Sequence, residues 1–137
     1  MEDSFTLKKC QFLLDEERKE KIKLALYAII EEKKAFISPK YNLTRLSIES
    51  NFSTNLLSAF FNQIIGLHFN DYINKYRIAH CIVLIENGEA EKLTLEGLSK
   101  KCGFHNRNTF ISAFKKFIGI NPSEFIRNKK SELEYII

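Results

Sequence analysis

The sequence predicts an all-α fold: two tandem helix-turn-helix units joined by a long linker helix, about seven helices in all. Two observations carry that expectation. The first is an aromatic stripe. Phe110, Phe114 and Phe117 recur at i, i+4 and i+7, the spacing of one helix face, while Thr109, Ser112, Lys115 and Lys116 fall on other faces. The second is an internal repeat. Leu46-Ser47 matches Leu98-Ser99, and Phe52 matches Phe104, at an offset of 52. The turn then gains a residue, and Leu57, Phe61, Gly66 and Tyr72 match Phe110, Phe114, Gly119 and Phe125 at an offset of 53. A duplicated supersecondary unit leaves this kind of fixed-offset self-similarity.

Taken in order, residues 1–14 have no clean period and read as an extension or linker, in which Phe5, Phe12 and Leu13 could pack. Asp15 opens a helix expected to run to about Lys34. Ile22, Ala25, Leu26, Ile29 and Ile30 form its apolar stripe. Asp15, Glu16 and Glu17 suit the positive start of its dipole, and Lys33 and Lys34 the negative end. It reads as a packing helix. Pro39 marks a loop. The first helix-turn-helix covers residues 42–66: a short helix from Asn42 to Ser50 with Leu43 and Leu46 inward, a turn at Asn51-Phe52-Ser53, and a second helix from Thr54 to Ile65. Ser53 suits its N-cap, and Leu57, Phe61 and Ile64 are expected inward. Gly66 stops it.

The linker helix spans residues 69–86, carries Tyr72, Ile73, Tyr76, Ile82 and Ile85, and is stopped by Asn87-Gly88. At 1.5 Å per residue it is about 27 Å long, against about 34 Å between successive major grooves on one DNA face. A rod of that length would present the second helix of each unit to adjacent grooves. The second helix-turn-helix covers 95–119: a helix from Leu95 to Cys102, a turn, and the Phe110-Phe114-Phe117 helix, closed by Gly119. Asn121 then caps a last helix, with Pro122 first in it and Glu124 at the capping-box position, ending near Lys130. Residues 131–137 form a C-terminal tail whose Tyr135-Ile136-Ile137 could fold back or reach another subunit.

A chain of 137 residues allows one domain with a modest core, and 45% apolar with 28% charged residues is ordinary for a soluble globular protein. The net charge of +4 is unevenly spread. Between Thr94 and Lys130 eight basic residues face two acidic ones, +6, which leaves −2 for the rest. A basic third suits a polyanion such as DNA, though the same charge also describes a solvated lysine face. Three cysteines, Cys10, Cys81 and Cys102, are an odd number without metal-like spacing and point to a reducing cytoplasm. No apolar run reaches the roughly 18 residues of a membrane span, and the N-terminus lacks a signal-peptide pattern. No membrane contact is expected.

The stretch from Gly103 to Phe125 resembles the signature of AraC-type transcription regulators. Gly103, Phe104, Phe110, Phe114, Lys115, Lys116, Gly119, Pro122 and Phe125 fill that pattern in order. Asn121 replaces the usual threonine, and Ser112 stands where many members have arginine. The first half is similar to a variant common in Bacteroidetes regulators, through Leu57-Ser58, Asn62, Gly66, Phe69, Asp71-Tyr72-Ile73-Asn74 and Tyr76-Arg77-Ile78. The resemblance covers residues 15–130. It implies an all-α DNA-binding domain with this same double unit, usually placed C-terminal to a sensor or repeat region; the sequence leaves open whether the chain is a fragment of a longer regulator.

In the first unit Thr54, Asn55, Ser58, Asn62 and Gln63 point away from the apolar stripe. Asn and Gln can pair bidentately with adenine, and Ser or Thr with several bases. By family position Asn55, Ser58 and Ala59 face bases, Ala59 through a thymine methyl only. Thr54 joins them as a base contact, with Asn62 and Gln63 assigned to phosphates. In the second unit Asn106, Arg107, Asn108, Ile111 and Ser112 occupy the outer face as base contacts. The Arg107 fork fits guanine O6 and N7, with a phosphate contact as its rival role. Lys115 and Lys116 come later in the helix and are expected to touch phosphates, which position without specifying. The backbone amides at the start of this helix and of the Asn121-capped helix could hold phosphates too.

His68, His80 and His105 are isolated, and Cys81 and Cys102 read as packing residues. The sequence has no glycine-rich phosphate loop, no metal cluster and no catalytic triad, so neither an enzyme nor a cofactor is expected. The expected function is sequence-specific recognition of double-stranded DNA in transcription regulation, reading two adjacent major grooves. The alternative is an all-helical protein-interaction module. Further candidate partners are RNA polymerase, a second copy of the chain and an absent sensor domain.

Overall fold

The computed structural model describes residues 14–136. The expectations for Phe5, Cys10, Phe12, Leu13 and Ile137 lie outside them, as do those for the side chains beyond Lys129. Among the described residues there are seven α-helices and no strand. They are α1 Glu16–Leu26, α2 Leu43–Ser50, α3 Thr54–Phe60, α4 Phe69–Glu86, α5 Leu95–Lys101, α6 Arg107–Ile118 and α7 Pro122–Ile136. Two compact units result. One is built from residues 14–35 and Tyr41–Tyr72, the other from Phe36–Lys40 and residues 73–136. Each contains one helix-turn-helix, α2–α3 in the first and α5–α6 in the second, and α4 runs from one unit into the other.

Side-chain caps start the helices where the sequence offers a short polar residue. Asp15 Oδ1 accepts from the Arg18 amide at 2.8 Å, Asn42 Oδ1 from Arg45 at 2.9 Å and Ser53 Oγ from Leu56 at 3.1 Å. Thr94, Asn106 and Asn121 do the same for α5, α6 and α7. Each satisfies an amide that the helix itself leaves without a partner, worth about 1 kcal/mol.

In the first unit α1 does not continue to Lys34 as one α-helix. It widens after Leu26 into a π-helical turn, Tyr27–Glu32, in which the Lys33 amide reaches back to the Ala28 carbonyl at 3.1 Å. Ile22, Leu26, Ile29 and Ile30 are buried as expected. A second π-helical turn, Phe61–Ile65, ends the α3 helix, closed by the Gly66 amide on the Phe61 carbonyl at 2.7 Å. It corrects one expectation. Ile64 is 39% exposed rather than inward, because the wider turn needs more residues to come round to the core face. Leu56 and Phe60 are buried beside Leu57 and Phe61 instead. The Phe61 ring meets Phe69 and Tyr72 at 5.6 and 5.0 Å, and Phe69 meets Tyr41 at 6.2 Å.

Tyr41 is buried and its hydroxyl has no hydrogen-bond partner in the described structure. Burial, reinforced by the charge of Glu49 and opposed by Arg45, pushes its phenol well above the ordinary tyrosine range. Its folded pKa is therefore the raised one. Stability is unaffected while both states are protonated and is lost as pH climbs above about 10, where only the unfolded chain ionises freely. We expect Tyr41→Phe to stabilise the unit by about 1 kcal/mol at neutral pH, since it removes an unsatisfied buried hydroxyl. The variant should also lose less stability between neutral pH and about pH 11. Urea midpoints at both pH values test this; a lower midpoint for the variant at neutral pH would mean that the hydroxyl is usefully bonded.

In the second unit the core gathers Ile78, Cys81, Leu84 and Ile85 of α4, Leu98 of α5, and Phe110, Ala113 and Phe114 of α6. The ring of Phe104, from the turn, lies tilted 5.4 Å from Phe110, and Phe125 of α7 lies 5.4 Å from Phe114. Burying each of these aromatic rings contributes about 1.5–3 kcal/mol. Cys81 and Cys102 are both fully buried. Their mutual hydrogen bond, then burial, pushes the Cys81 thiol far above its ordinary range, which fits packing rather than reactivity. The last helix runs to Ile136, past the expected end at Lys130, because Ser131 to Glu134 hold no glycine or proline to stop it.

An element absent from the sequence reading braces this second unit. Ala35–Ile37 forms a 3₁₀ turn whose Phe36 ring lies 5.8 Å from Tyr76 and 5.9 Å from His80. Arg77, buried on α4, holds the segment. Its Nε donates to the Phe36 carbonyl at 2.7 Å and its Nη2 to the Ser38 carbonyl at 3.0 Å. Nη1 donates to Asn74 Oδ1 at 3.1 Å, and the guanidinium sits 5.7 Å over the Phe104 ring. Burial lowers the Arg77 pKa, and the three acceptors offset the cost of placing the cation there.

Candidate nucleic-acid interface

The two units repeat in their caps, stops and buried positions. Ser53 and Asn106, 53 positions apart, cap α3 and α6, and Gly66 and Gly119 end the two helices in left-handed conformation at φ 80° and 94°. The buried sides correspond as well. Leu57, Phe60 and Phe61 match Phe110, Ala113 and Phe114, all buried. A buried inner side fixes which residues face out.

On α3 the structure exposes Thr54 and Asn55 and leaves Ser58 and Ala59 half-buried, and on the π-helical turn that follows it exposes Asn62 and Gln63. Thr54 and Asn55 stand in its first turn, the end that enters a major groove in helix-turn-helix proteins. On α6, Arg107, Asn108, Ser112, Lys115 and Lys116 are exposed. Arg107 is the first helical residue. Lys116 Nζ lies 5.9 Å over the Phe117 ring, two turns further on.

Two residues expected to read bases are otherwise engaged. Ile111 is half-buried and packs against the core of its unit, which leaves only part of it to meet a thymine methyl. Asn106 is the N-cap. Its Oδ1 accepts from the Thr109 amide at 2.9 Å and from the Thr109 hydroxyl at 3.0 Å. With both lone pairs committed, it retains amide donors but not the donor–acceptor pair that adenine requires.

Arg77 is the residue that sequence reasoning missed. A signal was there: Ile73, Arg77, Cys81 and Leu84 follow the 4-4-3 spacing of one helix side, which put a cation on the buried face of α4. Among the described residues no group of three or more His, Cys, Asp or Glu could hold a metal, and no helix is long and apolar enough to cross a membrane.

Fold and surface define a tandem helix-turn-helix domain. Comparison with known proteins gives the family. A helix-turn-helix domain model matches residues 46–128, more than half of the chain. The uncharacterized HTH-type transcriptional regulator YijO of Escherichia coli is 32% identical over 110 residues, covering 77% of this chain and 38% of YijO. The HTH-type transcriptional activator RhaR of E. coli is 26% identical over 91 residues, covering 66% of this chain and 31% of RhaR. Among solved structures, the C-terminal domain of the two-component response regulator yesN from Fusobacterium nucleatum superimposes with a TM-score of 0.66 at 28% identity, covering 77% of this chain and 97% of that one. The chain belongs to the AraC-type helix-turn-helix family of DNA-binding transcription regulators. It spans about a third of the length of the two curated relatives.

Proposed function

We propose that this chain is the operator-reading part of a transcription regulator, and that α3 and α6 each enter a major groove of one DNA site, in adjacent grooves. The observation that carries the proposal is the matched pair of capped helices, each with an aromatic inner side and a polar outer side. In this reading Thr54, Asn55, Ser58 and Ala59 of the first unit, and Arg107, Asn108 and Ser112 of the second, face base edges. Ile111 contributes at its exposed edge, and Asn106 shifts to a donor role toward a phosphate or a base. Asn62, Gln63, Lys115 and Lys116 face phosphates, joined by the amides at the starts of α6 and α7. The domain starts at about residue 15 and runs through α7, which carries on past Lys130 to Ile136. The regulator acts in the cytoplasm without catalysing a reaction, and RNA polymerase, a second copy and a sensor domain are its further candidate partners.

Arg107→Ala and Lys116→Ala should fail differently. If Arg107 grips a guanine, its loss costs about 1–3 kcal/mol on the cognate site and relaxes preference at one base pair. Loss of Lys116 should weaken all sequences about equally and reduce the slope of log K against log salt by about 1. Both are exposed, so thermal melts should match the parent. Equal weakening of cognate and random DNA by Arg107→Ala would make Arg107 a phosphate contact. No effect from either change would remove α6 from the interface.

A further inference from the structure

The two reading helices share their buried positions, Leu57, Phe60 and Phe61 against Phe110, Ala113 and Phe114, but not their charge. At an offset of 53, Thr54 aligns with Arg107, Asn62 with Lys115 and Gln63 with Lys116. Every cation of α6 therefore has an exposed hydroxyl or amide as its counterpart on α3 or on the π-helical turn that follows it. The difference extends to the whole helix-turn-helix. Residues 42–66 hold one basic and one acidic residue, Arg45 and Glu49, for a net charge of zero. The equivalent 95–119 hold five basic residues and one acidic, a net +4.

Electrostatic attraction to phosphates scales with cations placed against them, whereas hydrogen bonds to base edges need none. A helix with a neutral outer side releases almost no counterions. The groups it does carry suit A·T pairs. Asn55 is exposed in the first turn, and its amide offers the donor and acceptor that adenine N7 and N6 require. Ala59 offers a methyl for thymine, and no arginine or lysine is present on α3 to grip guanine.

We infer that the two units divide the work on DNA: the second holds the phosphates and carries the salt-dependent affinity, while the first is an electrostatically neutral reader of an A·T subsite, with Asn55 as its specificity-determining residue. The inference rests on the DNA-reading function proposed above. It makes the first unit a contributor of sequence preference at any salt concentration, and the second the anchor that brings it to the duplex.

The test selects bound duplexes from a random pool with the intact chain, then titrates the selected duplex and its single-pair variants by fluorescence anisotropy at three salt concentrations. Arg107→Gln/Lys115→Gln/Lys116→Gln should shrink the slope of log K against log salt by roughly 2–3. Asn55→Ala should leave the slope unchanged and lower the preference for one A·T pair roughly tenfold. Asn55→Arg supplies a second reading: preference at that pair should move from adenine toward guanine, and the slope should grow by about 1. The division of work is overturned if the triple variant keeps the parental slope, if Asn55→Ala changes no base preference, or if the preference lost is for a G·C pair. A parent chain that enriches no sequence at all would instead overturn the DNA-reading function, and the division with it.

Discussion

Gly103→Ala should lower the melting temperature by about 10 °C or more, the largest effect expected of any glycine-to-alanine change in this chain. Gly103 sits in the turn between α5 and α6 at φ +98°, a conformation that L side chains rarely adopt. A Cβ there would also collide with the Phe36 carbonyl oxygen, and would stand 2.9 Å from the Ile37 carbonyl oxygen. Both partners are backbone, held in the 3₁₀ turn by Arg77, so neither can swing aside as a side-chain tip would. Conformational strain and overpacking together come to about 2–5 kcal/mol. Gly119 separates the two causes. It has nearly the same φ, +94°, but a Cβ there meets nothing within 4 Å. Gly119→Ala should therefore cost only the strain, about 1–2 kcal/mol. Paired thermal melts decide it. Equal losses for the two variants would mean that the approach of the Phe36–Ile37 backbone to Gly103 is not tight.

Arg77→Ala should be nearly as damaging. It leaves the Phe36 and Ser38 carbonyls without the guanidinium that bonds them at 2.7 and 3.0 Å, and it takes the cation off the Phe104 ring. Each buried acceptor left without a partner costs about 1–3 kcal/mol. Arg77→Lys should not rescue the loss, since one ammonium on a flexible stem cannot reproduce a planar fork aimed at three acceptors. Denaturant melts of both variants test this, with hydrogen exchange on the Ala35–Ile37 turn as the local readout. A lysine variant as stable as the parent would reduce the clasp to a simple charge effect.

These two positions also mark where the sequence stopped being legible. The helices were readable because each is set by nearby residues: a cap such as Ser53 or Asn121, an apolar period such as Phe110-Phe114-Phe117, and a glycine stop. The repeat made the double unit readable, because Leu57, Phe61 and Gly66 return at a fixed offset. The clasp was not readable, since Arg77 meets Phe36 and Ser38 some 40 residues away in sequence. Only the burial of its helix side hinted at it. Ile64 failed for a different reason. A period of 3.6 residues was carried through a π-helical turn that the residue types Phe61-Asn62-Gln63-Ile64-Ile65 do not announce. At the interface, the outer sides of α3 and α6 were readable as polar faces. The engagement of Asn106 was not: an asparagine before a helix serves equally as a base reader or as a cap, and only the two hydrogen bonds from Thr109 choose between them.

The most direct test of the central claim, that this tandem unit reads DNA sequence, is a competition at physiological salt. A duplex selected by the intact chain from a random pool is labelled, bound, and challenged with unlabelled duplexes of the same composition in the selected or a shuffled order. Phosphates are identical in the two competitors, so only base reading can separate them. The selected order should compete on the order of 10³-fold better. Equal competition by the two orders would contradict it, leaving a basic helical domain that holds DNA without reading it.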